Sequence, residues 1–272
     1  MESIQQRNEL VRKYFIATPE TPNYQPYYIG MVLFLLLFLL APRMHTISGG
    51  LLGFGGIIGL LVTLKKWYDR RKEYTDTFKK AEPKATDRQM DEWLAKGLAD
   101  VTAEARKRLD LSDDKDIAAK PLMIDGPAEK SYIAAGADRV LRFNRHNILL
   151  VFLTDHHVAT FQCILDLGVG EILQDKTKEF PYKDITNLET NTTNQGFHYR
   201  NDIKTGTIGE QTFGLYTSGA NVISVNYLFS KSNEKDSGYK FPDSHADSTI
   251  RAIRTRLKEY KDDFDVQKKQ SF

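Results

Sequence analysis

The sequence predicts an α+β protein: a two-helix transmembrane hairpin, a helical connector, and a bent antiparallel β-sheet or barrel capped by a C-terminal helix. Three observations predict it. Two nearly uncharged runs, YYIGMVLFLLLFLLAP (Tyr27–Pro42) and ISGGLLGFGGIIGLLVTL (Ile47–Leu64), follow one another with only Arg43–Thr46 between them. From Pro121 onward, short runs rich in β-branched and aromatic residues recur every 10–12 residues or so, a meander signal rather than a βαβ one. After Ser244 the apolar period returns to that of a helix.

The N-terminal arm, residues 1–24, reads as a helix from Ser3 to about Ala17 followed by TPETPN; Leu10, Val11 and Phe15 suit a membrane surface. The hairpin, residues 25–64, has two runs of about 17 residues, roughly 25 Å of helix each, close to the thickness of a hydrocarbon core. Lys65, Lys66, Arg70, Arg71 and Lys72 form a basic collar where the second run ends, while the connecting turn offers only Arg43. Excess of Lys and Arg at both ends predicts a multi-pass protein of the cytoplasmic (inner) membrane with both termini inside. Tyr24, Tyr27, Tyr28, Trp67 and Tyr68 suit an interfacial aromatic belt. A cleaved signal peptide fits poorly, because the first apolar run starts late and a second follows at once. Gly49/Gly53 and Gly55/Gly59 form small-xxx-small pairs that let another backbone approach, either the first helix of the same hairpin, which this reading favours, or a second protomer.

The connector, residues 65–120, continues as a charged helix to about Lys80. Thr86 and Gln89 then fit a capping box ahead of a stripe of Met90, Trp93, Leu94, Leu98, Val101, Ala105 and Leu109. Residues 121–266 form the β domain. Tyr182 and Ile185 are expected in its core, with Lys183 and Asp184 toward water. Its final helix places Ile250, Ile253, Leu257, Tyr260 and Phe264 on one face and Arg251, Arg254, Arg256, Lys258 and Lys261 on the other.

The stretch Arg139–Thr190 is similar to bacterial membrane-anchored proteins with a pleckstrin-homology-like (GRAM-like) domain. The strand ending in Leu153-Thr154, the restart at His157–Phe161 and Glu179–Ile185 carry the resemblance. It implies a seven-stranded fold with a C-terminal helix and a binding or scaffolding role, and it carries over no ligand residues.

A net charge of +2 over 272 residues gives no strong field for nucleic acid. Cys163 is the only cysteine, so neither an intramolecular disulfide nor a thiolate metal cluster is available. Asp155-His156-His157 has the letters of a phosphoesterase signature but sits in a turn between antiparallel strands, without the further aspartates two metals need. Leu167–Glu171 is glycine-rich but lacks the helix and lysine of a phosphate loop. Cys163 lies in an apolar strand with no basic neighbour and reads as a buried thiol. Arg139, Arg142 and Arg145, with Lys176 and Lys178 on the next hairpin, are the candidate anion-binding set. The expected protein is therefore no enzyme and needs no cofactor. It is a membrane-anchored cytoplasmic binding or scaffold module that recruits or senses a protein or lipid at the inner membrane. Its expected partners are membrane lipids, an unidentified protein and a second copy of itself, not nucleic acid. The alternative is a ligand-gated membrane effector whose β-barrel binds a soluble messenger and whose hairpins oligomerise.

Overall fold

The computed structural model describes residues 3–40, 47–111, 121–192, 197–218, 220–231 and 238–270. The predicted turn Arg43–Thr46 and the connector's tail at 112–120 lie outside them, as does the side chain of Phe264. The chain divides into two units: residues 16–83 form a helical unit, and residues up to Phe15 join those from Lys84 onward in an α+β body.

Helix α1 (Ile4–Tyr14) begins at Ser3, whose hydroxyl accepts from the Gln6 amide at 3.2 Å. An N-cap of this kind satisfies one of the amides a helix start leaves unpaired. Instead of lying on a membrane, α1 contributes Val11, Tyr14 and, just beyond its end, Phe15 to the body's core. The helical unit consists of α2 (Gln25–Leu40) and α3 (Ile47–Ala81), packed on each other. Back in the body, α4 (Asp87–Arg108) starts with both halves of the predicted capping box: Thr86 Oγ1 accepts from Gln89 N at 3.2 Å, and Gln89 Oε1 accepts from Thr86 N at 2.9 Å. Its stripe of Met90, Val101 and Ala105 is buried, with Trp93, Leu94 and Leu98 packed beside it.

The strands follow: β1 (Leu122–Pro127), β2 (Tyr132–Ala135), β3 (Leu141–Phe143), β4 (Arg145–Leu153), β5 (His157–Asp166), β6 (Glu171–Pro181), β7 (Ile185–Thr192), β8 (His198–Tyr199), β9 (Ile208–Thr217) and β10 (Ala220–Ser230). They form an antiparallel sheet in the order β1-β4-β5-β6, a second sheet β10-β9-β7, and a small sheet β3-β2-β8 whose β2–β8 pair is parallel. The last helix, α5 (Ala246–Gln270), is tied to the first sheet: Thr249 Oγ1 donates to the Met123 carbonyl at 2.8 Å and Asp125 N donates to the Ser244 carbonyl at 3.1 Å.

The first sheet is covered on both faces, which explains the uninterrupted apolar run in β4. Ile148, Leu150 and Phe152 face α1 and α4, while Leu149 and Val151 join Phe213, Leu215 and Val225 of the second sheet and Ile250 and Ile253 of α5. The same alternation runs through β5, with Phe161, Cys163 and Leu165 toward α4. Gln162 points the other way, and its Nε2 donates to Asn147 Oδ1 at 2.9 Å and to the Ser224 carbonyl at 2.7 Å. Tyr182 and Ile185 are buried and Lys183 and Asp184 exposed, as expected.

The barrel expectation is corrected: among the described residues the strands form separate sheets, and none closes on itself. A 3-10 turn at Tyr182–Asp184 separates β6 from β7, and β7 pairs with β9 rather than with β6. On the other side β1 and β10 pass close without pairing. A side chain at Gly126 would run into the Asn226 carbonyl, so glycine is what allows the two backbones to approach.

Candidate functional site

The expected transmembrane hairpin, and with it the multi-pass inner-membrane placement, is overturned: among the described residues, no helix is long and apolar enough to cross a membrane. The 16 described residues of α2 rise about 24 Å at 1.5 Å each, against a hydrocarbon core of about 30 Å. Helix α3 has 35 residues, but after its glycine-rich first half it turns charged at Lys65. The hairpin itself stands. Gly59 lies under the Phe34 ring, where a Cβ would overlap it, and a Cβ at Gly56 would come to 3.1 Å from Phe34 O and Phe38 N. Thr63 packs its methyl toward Gly30 and returns its hydroxyl to the Gly59 carbonyl at 2.8 Å, so no polar group is left facing outward there.

The glycines facing α2 are thus Gly56 and Gly59, one turn apart. Gly55 has nothing within 4 Å of where its Cβ would be. The surroundings of Gly49 lie outside the described residues, and Gly53 is half-buried. Around the rest of the hairpin, large apolar side chains face outward on both helices: Ile29 is 68% exposed, Leu51 71% and Phe54 65%. Leu33, Leu36 and Leu61 are also more than half exposed. A helix apolar on every side is one whose surroundings are expected to be apolar on every side. The collar residues Lys65, Lys66, Arg70, Arg71 and Lys72 all lie on α3 and are exposed, Arg70 reaching Glu73 at 3.2 Å and Arg71 lying over the Trp67 ring at 5.2 Å.

The candidate anion-binding cations do not form one cluster. Arg139 is exposed in the β2–β3 turn with φ 65. Arg142 is buried and engages two carboxylates: Asp91 at 2.7 and 2.8 Å, and Asp138 at 2.9 and 2.8 Å. Asp87 stands 3.9 Å away and accepts from the Tyr14 hydroxyl at 2.8 Å. Burial, and then the hydrogen bond to Asp87, raises the Tyr14 pKa, while hydrogen bonding to Arg142 holds the Asp138 carboxyl down to about 2. Arg145 is paired with Asp166 at 2.8 Å. Lys176 and Lys178 stand on the outer strand β6, separated from β4 by β5. Burial, and then repulsion from Lys178, lowers the Lys176 pKa.

Asp155 accepts from Arg256 at 2.9 Å, and His157 Nδ1 lies 3.1 Å from Thr154 Oγ1. Asp155 lies in the β4–β5 turn and His157 opens β5, and no group of metal-binding side chains occurs among the described residues. Burial pushes the Cys163 thiol up to about 12, which removes the thiolate a nucleophile needs.

Sequence reasoning missed two arrangements. Asp125 on β1 and His146 on β4 are both buried, with His146 Nδ1 2.9 Å from Asp125 Oδ1. Only strand register brings them together, and no spacing signal announces it. The second is a cleft of about 270 Å³ between α5 and the second sheet, lined by Thr190, Gln211, Tyr227, Asp247, Ile250, Arg251 and Arg254. In the sequence, Arg251 and Arg254 read only as part of the charged face of the last helix.

Comparison with known proteins returned no family model, no curated protein and no solved structure that matches the chain.

Proposed function

We propose that the chain is a non-catalytic scaffold that works by self-assembly. Apolar hairpins from several copies pack together and hold the α+β bodies in a multivalent array. The observation that carries this reading is the hairpin's exposed apolar surface: large apolar side chains on both helices stand outward, where a monomer ordinarily exposes such residues singly. The stripe Leu51, Gly55, Ile58 and Val62, recurring at steps of four, three and four, supports it further: Gly55 leaves open space in which a side chain of a second copy fits as a knob in a hole. Holding several bodies together raises their effective concentration toward a shared protein partner without any new contact at the binding face. The resemblance of Arg139–Thr190 to pleckstrin-homology-like domains agrees with such a binding role.

Sedimentation of the full chain in aqueous buffer tests this. The expected result is a discrete oligomer that falls apart when Phe54→Glu and Leu61→Glu, both on exposed positions, are combined. A chain that stays monomeric overturns the reading. So does recovery of single copies on phosphatidylglycerol vesicles, because lipid would then cover the hairpin and the Lys65–Lys72 collar would meet its headgroups.

A further inference from the structure

The cleft between α5 and the second sheet departs from the pattern of the core beside it. Across β7, β9 and β10 the inward rows read Leu188–Leu215–Ile223, then Thr190–Phe213–Val225, then Thr192–Gln211–Tyr227. The face turns polar where α5 begins, and there it opens to solvent on the β7 side, with Thr190 and Thr192 exposed. The buried Tyr227 hydroxyl donates to Gln211 Oε1 at 2.8 Å. That bond fixes the amide and leaves its two N–H donors without a partner among the described residues.

Two cations from α5 line the same space. Neither Arg251 nor Arg254 has a carboxylate within ion-pair distance among the described residues, although Asp247 lies one turn before Arg251. Arg256, farther along the same helix, is paired instead, reaching Asp155 at 2.9 Å and Glu259 at 3.4 Å. At about 270 Å³ the cleft holds the volume of roughly nine waters, room for a small ligand, with Ile250 as its apolar wall.

We propose that this cleft binds the phosphate or carboxylate group of a small soluble ligand. Arg251 and Arg254 supply charge-assisted donors and the Gln211 amide a neutral, positioned one. Asp247 takes the opposite role, accepting from a hydroxyl or ammonium on the same ligand and turning away a second anion.

Equilibrium dialysis of the full chain against labelled orthophosphate, and separately against labelled succinate, tests the site and decides between the two anion types. One saturable site per chain is expected for at least one of them. Arg251→Gln and Arg254→Gln should each weaken it by about tenfold or more, the loss of one charge-assisted contact. Gln211→Glu nearly preserves the side chain's shape but replaces the donor with a carboxylate, so it should abolish binding. Arg88→Gln, on exposed α4 surface, should leave binding unchanged. Near-UV circular dichroism verifies that each variant is folded. Failure of both anions to saturate, persistence of binding in the Arg251/Arg254 double variant, or an equal loss in Arg88→Gln overturns the proposal.

Discussion

Replacing Arg142 with methionine removes the cation that joins α4 to the β2–β3 turn. The guanidinium is only 7% exposed and makes two hydrogen bonds to Asp91 and two to Asp138, with Asp87 at 3.9 Å. Without it, three carboxylates face one another around an apolar stem. Removing one partner of a buried ion pair costs about 3–5 kcal/mol. Asp91 and Asp138 are 58% and 42% exposed, however, so water screens much of the repulsion. The expected loss is therefore about 2–3 kcal/mol, or a fall in melting temperature of about 5–10 °C for a body of this size. Arg142→Lys should recover only part of it, because an ammonium cannot engage two carboxylates with a planar fork.

The pH dependence carries an independent sign. Arg142 holds the folded Asp138 carboxyl down from 3.8 to about 2. A lowered folded pKa contributes stability that is fully present above the unfolded value and is lost as pH falls through the folded one. The gap between wild type and Arg142→Met should thus be widest near neutral pH and should narrow between about pH 4 and pH 2. Urea denaturation followed by the fluorescence of Trp93, which lies on α4, measures both effects. A variant as stable as wild type, or a gap that stays constant down to the acid limit, would refute this account of the cluster.

Two further outcomes follow from the packing. Gly59→Ala should destabilise the hairpin by about 1–3 kcal/mol, since its methyl overlaps the Phe34 ring; helical circular dichroism during thermal melting measures the loss. Cys163 should react with Ellman's reagent only as fast as the body opens, because its thiol is buried and its pKa is pushed up to about 12. Rapid labelling in native buffer would contradict that placement.

The helices of the body could be read from the sequence because their signals are local. Thr86 and Gln89 sit at capping-box spacing, and the stripe from Met90 to Ala105 buries as its period requires. Tyr182 and Ile185 were legible for the same reason. The role of Arg142 was not: its carboxylate partners come from α4 and from the turn before its own strand, and only tertiary folding brings those together. The cleft was hidden similarly, since Gln211 and Arg251 meet across a sheet–helix interface. Hydropathy misled the reading at the N-terminal third. It measures apolarity along the chain, but α2 has 16 described residues and the charge on α3 begins at Lys65. The glycine pairing was off by one position because sequence spacing does not say which side of a helix meets its neighbour; Gly56, not Gly55, lies against Phe34 and Phe38.

The way residues 16–83 are spliced into the body has its own consequence. The chain departs after Phe15 and re-enters at Lys84, where Ala85 N donates to the Leu10 carbonyl at 3.1 Å, and within the excursion Thr18 Oγ1 donates to Glu82 Oε1 at 2.8 Å. The departure and re-entry points are thus neighbours, and the excursion behaves as one closed loop. Doubling the length of a flexible loop adds only about 0.6 kcal/mol to its closure. Evolution, or a protein engineer, can therefore lengthen, trim or exchange the segment between those two points while the body around α1 and α4 keeps its structure.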